Sequence, residues 1–237
     1  MTIKNKIAVI SGAGGGLGRV LTKTFAEAGA KLVLLGRNSD KLNKMAADFG
    51  IHSSDVFSIA LDLSKMDETQ KAAHEIEAKF GRLDIFVNVV GGWMGGKSVL
   101  ETDISEIDAM IEQHIRTSYS MLKAFLPPML KNSWGRLLAV SSPFANHPPG
   151  NNSPYAVGKA GMEALMLSLA MELKGSGVTS NLVTVNTIDV KHERINHPSE
   201  KNKSWSTPEE ISATLLHLCS EESSLINGAR IPLYGSP

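Results

Sequence analysis

Tyr155 and Lys159 stand four residues apart, with Ser142 thirteen residues upstream of the tyrosine. Four residues is close to one helical turn, so a helix opening near Pro154 places the phenol and the ammonium on one face. A cation held beside a phenol favours phenolate and lowers a pKa that is otherwise about 10. Bringing it to about 7 takes roughly 4 kcal/mol at 1.36 kcal/mol per unit, and makes the tyrosine a proton donor and acceptor near neutrality.

The elements that must position such a pair follow from the apolar pattern. Short apolar runs at Ile7–Ser11, Lys31–Leu35, Val56–Ala60, Ile85–Asn88, Arg136–Val140, Thr179–Val185 and Arg230–Leu233 read as strands. Between them, longer amphipathic stretches read as helices near Leu17–Ala28, Ser39–Phe49, Asp67–Phe80, Ile104–Leu130, Pro154–Lys174 and Pro208–Ser220. The alternation predicts an α/β fold: one Rossmann-type, doubly wound domain over residues 1–237, with about seven parallel strands and helices on both faces. Ligands belong at the carboxyl ends of its strands. Thr207-Pro208-Glu209-Glu210 is a helix start, with an N-cap hydroxyl and proline at the first helical position. Asp189–Ser206 is the one long irregular stretch, and loops of that length often serve as lids or binding loops.

Bulk properties narrow the partners. Lys plus Arg and Asp plus Glu number 24 each, so net charge gives no reason to expect a nucleic-acid or membrane-surface partner. The single cysteine, Cys219, lies in a helical apolar pattern and reads as a buried structural thiol in a reducing compartment. The amino terminus enters a strand at once, without the apolar run of a signal peptide, and a cytoplasmic protein without a metal site is expected.

After the first strand comes Ser11-Gly12-Ala13-Gly14-Gly15-Gly16-Leu17-Gly18, opening into a helix. The pattern is G-x-x-x-G-x-G through Gly12, Gly16 and Gly18. Such glycines permit a tight turn and close backbone approach, and the helix N-terminus faces a pyrophosphate. The second strand ends in Gly36-Arg37-Asn38. An acid there would bind a ribose 2′-hydroxyl, whereas arginine accommodates a 2′-phosphate, so NADP(H) is expected over NAD(H).

With these motifs the chain resembles the short-chain dehydrogenase/reductase family from about Lys6 to Gly235. The resemblance carries the adenine-contacting acid onto Asp62, followed by Leu63, and the asparagine after the fourth strand onto Asn88. It carries the catalytic serine, tyrosine and lysine onto Ser142, Tyr155 and Lys159. It implies interconversion of a ketone and a secondary alcohol: Tyr155 gives the proton, Ser142 orients the carbonyl oxygen, and Lys159 holds the cofactor ribose. It also implies a homodimer or homotetramer through the fourth and fifth helices, where Ala156, Gly158, Ala160, Gly161 and Ala164 would permit close approach.

Three positions depart from the family pattern. His114 stands where a fourth catalytic residue, an asparagine, is usual; it either keeps that residue's backbone role or adds a titrating group. Val185-Asn186 replaces Pro-Gly and Val190 replaces the threonine that anchors the carboxamide, leaving groups such as the Ile188 backbone to hold the nicotinamide end. The ending Leu233-Tyr234-Gly235 replaces acid-Gly-Gly. Gly91-Gly92-Trp93-Met94-Gly95-Gly96 and Trp205 are similar to quinonoid dihydropteridine reductases, where an indole could stack on a flat substrate. The basic residues of Asp189–Ser206 could attract an acidic acyl substrate, so 3-oxoacyl-thioester reduction, pterin reduction, and a cofactor-binding regulator with decayed catalysis all stand as readings.

Overall fold

Seven strands form an all-parallel sheet in the order β3-β2-β1-β4-β5-β6-β7 in a computed structural model that describes residues 2–235. Met1, Ser236 and Pro237, which the expected 1–237 domain includes, lie outside the described residues. The strands are β1 (Ile7–Ser11), β2 (Lys31–Gly36), β3 (Val56–Ala60), β4 (Ile85–Asn88), β5 (Gly135–Ser141), β6 (Val178–Thr184) and β7 (Arg230–Pro232). β1, β4, β5 and β6 are buried along their whole length, the pattern of strands covered on both faces. β1 pairs with β2 on one side and β4 on the other, so the chain reverses its direction of travel there and opens a crevice at the strands' carboxyl ends.

Helical spacing supplies the cover. On one face lie α1 (Gly16–Glu27), through Leu17, Leu21 and Phe25, α2 (Ser39–Asp48), and α8 (Pro208–Leu218), through Ile211 and Leu215. The other face carries α3 (Met66–Phe80), α5 (Thr117–Lys131) and α6 (Ser153–Glu172), including Ile76, Phe125, Met162 and Met166. The Thr207 start is a full capping box with Glu210. Among the described residues no helix is long and apolar enough to cross a membrane.

The expected helix Ile104–Leu130 runs without a gap, but a π-helical turn, Ile111–Arg116, which carries His114, divides it into α4 (Ile104–Met110) and α5. Thr117 Oγ1 donates to the Glu112 carbonyl at 3.0 Å and Ser118 Oγ to the His114 carbonyl at 2.5 Å, so hydroxyls absorb part of the widened turn. α6 packs directly on this turn. A Cβ on Gly158 would lie 2.8 Å from His114 Cδ2, and one on Gly161 would lie 2.3 Å from Ile115 Cδ1. Both glycines, expected to serve a subunit contact, are therefore consumed by packing within the chain.

Asp189–Ser206 is more ordered than its composition suggests. Both Asp189 carboxylate oxygens accept backbone N–H groups, of Glu193 and Arg194, at 2.8 Å, and so cap the short α7 (Glu193–Asn196). Some of its basic residues are paired: Arg194 with Glu210, His192 Nε2 with Glu209 at 2.9 Å, and Lys203 with Glu200 at 2.6 Å, while Lys191 and Lys201 are exposed.

Candidate active site

The glycine turn folds as its composition requires. Gly12 has φ +68°, and a Cβ there would lie 3.3 Å from the Val89 carbonyl oxygen. A Cβ on Gly18 would meet the Gly12 carbonyl oxygen at 2.3 Å, so no other residue fits. Gly15 caps α1 without a side chain, leaving the helix N–H groups bare beside an open cleft of about 1290 Å³. Gly12, Gly14, Gly15, Arg37, Asp62 and Leu63 line that cleft together. The Asp62 carboxylate accepts from the Ser64 N–H and hydroxyl, and these bonds hold its pKa below the ordinary value.

Other expected contacts lie elsewhere. Ser11 and Asn88 are buried beneath the turn rather than on the cleft wall. Ser11 Oγ donates to Asn88 Oδ1 at 2.9 Å, and Asn88 Nδ2 donates to Ser118 Oγ at 2.9 Å, from which the chain of bonds continues to the His114 carbonyl. These residues couple the turn to the π-helical segment. Leu17 and Gly18 are buried as well, and Gly16 is exposed, with Val190 Cγ2 2.7 Å from where a Cβ would stand. Ile188 bridges to Ser206 and its carbonyl accepts the Val190 N–H at 3.0 Å, so it does not line the cleft either. The sequence reading missed Arg19, Lys41 and Lys44, which join Arg37 on the wall. Their signal was present: Arg19 follows the last glycine directly, and Lys41 and Lys44 are three apart on α2.

A dinucleotide fits this wall. Backbone donors at a bare helix N-terminus suit a pyrophosphate, and four cations surround the end near Arg37.

Ser142, Tyr155 and Lys159 do not line the cleft but stand where it ends. Gly91 is on the wall, and a Cβ there would be 3.6 Å from Lys159 Nζ and 3.1 Å from His114 Cε1. Ser142 leaves β5 at its carboxyl end, its Oγ accepting the Phe144 N–H at 3.3 Å. Tyr155 and Lys159 lie one turn apart in α6, as the spacing predicts. Phe144 and His114 flank the phenol edge-on at 5.9 and 5.7 Å. Without a cofactor, burial raises the Tyr155 phenol above its ordinary value, and Ser142 acts in the opposite direction. Lys159 Nζ sits 5.8 Å from the phenol ring and donates to the Val140 carbonyl at 2.9 Å. Burial pushes Lys159 down to about 8, against the pull of Glu163. Such a pair holds a neutral phenol and a cation at neutral pH, an arrangement able to donate a proton.

His114 is 1% exposed. Burial and the Lys159 charge push it down to about 4, so it is a neutral imidazole. Its Nε2 lies 3.1 Å from the Gly92 carbonyl oxygen, where it donates, and its Nδ1 has no partner. Cys219 is buried, and burial pushes its thiol well above the ordinary range.

Residues 6–200 match the family described as short chain dehydrogenase. The chain belongs to the short-chain dehydrogenase family. It is therefore an oxidoreductase that uses a nicotinamide cofactor and acts on a small molecule. This dehydrogenase is 30% identical over 215 residues to an uncharacterised oxidoreductase of Staphylococcus aureus, covering 91% of each chain. Its fold matches a candidate 3-oxoacyl-reductase from Bacillus thuringiensis at TM-score 0.84 and 23% identity, covering 96% of each chain. It also matches an NAD+-bound xylitol dehydrogenase at TM-score 0.88 and 19% identity, over 99% and 100% of the two chains.

Over the dehydrogenase's site runs the Gly91–Gly96 loop. Trp93 is 60% exposed, and its Nε1 donates to Asn152 Oδ1 at 3.1 Å, at the start of the helix that carries Tyr155. A Cβ on Gly95 would lie 2.6 Å from that same Asn152 oxygen and 3.0 Å from Trp93 Cζ2, so a larger residue would disturb this contact.

Proposed function

We propose that this dehydrogenase interconverts a ketone and a secondary alcohol with NADP(H), through Ser142, Tyr155 and Lys159. The observation that carries the reading is the Tyr155 phenol one helical turn from the buried Lys159, with Ser142 just after β5 and Gly91 of the cleft wall beside the lysine. A nicotinamide bound in the cleft supplies the hydride to the carbonyl carbon. Tyr155 Oη gives its proton to the carbonyl oxygen, Ser142 Oγ holds that oxygen in place, and solvent returns a proton to the phenolate. A phenol kept protonated by burial is the form that can give a proton to a carbonyl oxygen. Arg37, exposed and joined by Arg19, Lys41 and Lys44, supports a 2′-phosphate and hence NADP(H). The segment Asp189–Ser206 acts as the substrate loop of a domain spanning the whole chain.

Within this class, a 3-oxoacyl thioester is the default substrate, supported by the fold likeness to the Bacillus thuringiensis reductase. A second reading, a quinonoid dihydropterin reductase, is favoured by Trp93, an exposed indole fixed by Asn152 near Tyr155. NADPH oxidation over a panel of carbonyls, quinones and quinonoid dihydropterins separates the two. Turnover of a ketone that collapses in Ser142→Ala is the expected result; pterin turnover that survives Ser142→Ala favours the second reading. Tight NADPH binding without turnover anywhere on the panel points to a regulator and contradicts both.

A further inference from the structure

Three carboxylates of this chain are almost wholly buried: Asp84, Asp189 and Glu163. Two have evident structural duties. Asp84 is saturated by Arg82 and the Ile7 N–H, and Asp189 caps α7. Glu163 differs. Its Oε2 accepts from Arg230 Nε at 2.6 Å and from Asn146 Nδ2 at 3.2 Å, while its Oε1 is buried with no partner. It lies four residues after Lys159, on the same buried side of α6.

Lys159 needs a counter-charge. An ammonium removed from water loses several kcal/mol of hydration, and Lys159 Nζ has one hydrogen bond, to a neutral carbonyl. The groups facing it from other elements do not help: His114 on the π turn is a neutral imidazole, and Tyr155 on its own helix is a neutral phenol. Glu163 is the one carboxylate acting on it. Arg230, 43% exposed on β7, donates to Glu163 Oε2 at 2.6 Å and offsets part of its charge, while Oε1 has no partner. Glu163 and Lys159 form no direct ion pair; what attraction is left acts across one buried turn of α6, where a low dielectric weakens it less than water would. Asn146, in the segment just after Ser142, adds a neutral donor.

We propose that Glu163 is a positioning residue for the site: its carboxylate, held by Arg230 and Asn146, keeps Lys159 an ammonium through neutral pH. The consequence for turnover rests on the reading that Lys159 and Tyr155 carry the chemistry; the consequence for the lysine's charge does not.

The test is an NMR titration of ε-labelled lysine in the full chain, with the Lys159 signal assigned by its loss in Lys159→Met. In Glu163→Gln the Lys159 midpoint should fall by about one unit or more, and Glu163→Asp should fall less or not at all. The alkaline limb of the kcat/KM profile should move to lower pH by the same amount, with activity recovered at acidic pH. A purely structural tie would lower stability without moving that limb. An unchanged Lys159 midpoint in Glu163→Gln overturns the proposal. If that variant does not fold, as judged by circular dichroism, Glu163→Ser takes its place with the same expectation and the same overturning result. A midpoint that moves while the rate profile stays fixed upholds the counter-charge and sinks the assignment of Lys159 to the chemistry.

Discussion

Buried charge occurs at both ends of the same strands, and the two ends treat it differently. At the amino edge, Asp84 accepts from Arg82 and from the Ile7 N–H. Nearby, buried Arg136 donates to the Gly135, Gly177 and Ser220 carbonyls, with its Nε left without a partner, and both Arg136 and Lys6 lie over the Trp134 indole, Lys6 at 3.3 Å. That end is tied strand to strand. At the carboxyl edge, Lys159 has a single hydrogen bond, His114 Nδ1 and Glu163 Oε1 have none, and the N-terminus of α1 has no side-chain cap. At the amino edge paired charge ties strand to strand; at the carboxyl edge charge stands beside a cleft, where a ligand and proton transfer have their place.

The contrast is broken most forcefully at the amino edge. Asp84→Ala should cost about 2–4 kcal/mol in urea unfolding, somewhat less than a fully enclosed pair because Arg82 is 43% exposed. The same variant should leave NADPH affinity unchanged; a lost cofactor affinity would erase the distinction between the two ends.

Arg37→Asp should next weaken NADPH binding by about ten- to a hundredfold while sparing NADH, read by direct titration of both. Equal or tighter NADH binding by the unmodified protein would remove the basis of the cofactor assignment.

His114 supplies a smaller effect with a definite sign. Its folded pKa is about 4 against an unpaired value of 6.5, so between those pH values the unfolded chain binds the extra proton. Stability should therefore fall as pH drops from about 6.5 to 4, and His114→Gln should flatten that fall by about 1–3 kcal/mol in acid-range urea melts. An identical acid limb in the variant would show that the imidazole does not titrate as its burial demands.

The smallest change belongs to Trp93→Ala. If the indole only covers the loop, KM for a ketone shifts a few-fold or less with kcat unaltered, whereas a stacked pterin would lose about 1–1.5 kcal/mol, roughly tenfold in KM.

Strands and helices were legible because their signals are local and repeated: β1 and β4 are unbroken apolar runs, and α1 repeats Leu17, Leu21 and Phe25. The Tyr155–Lys159 turn was legible for the same reason. The π turn was not, since Ile111–Arg116 reads as ordinary helix and only the packing of Gly158 and Gly161 onto it shows its place. Glu163 was invisible because a lone acid in a helix reads as a solvated face, and its partners Asn146 and Arg230 are distant in sequence. The pairing of Arg194 and His192 with acids on α8 was hidden for the same reason, since it crosses a fold that composition does not describe. Ser11 and Asn88 lay in the expected motif but serve beneath the cleft, a difference that depends on which way a strand residue faces.

The central claim is that Tyr155 delivers the proton. Single-turnover NADPH oxidation with a ketone from the panel, comparing the unmodified protein with Tyr155→Phe, tests it most directly. The account predicts a rate lower by about 10²–10⁴ with NADPH affinity retained. A Tyr155→Phe variant that reduces the ketone at the unmodified rate would contradict it.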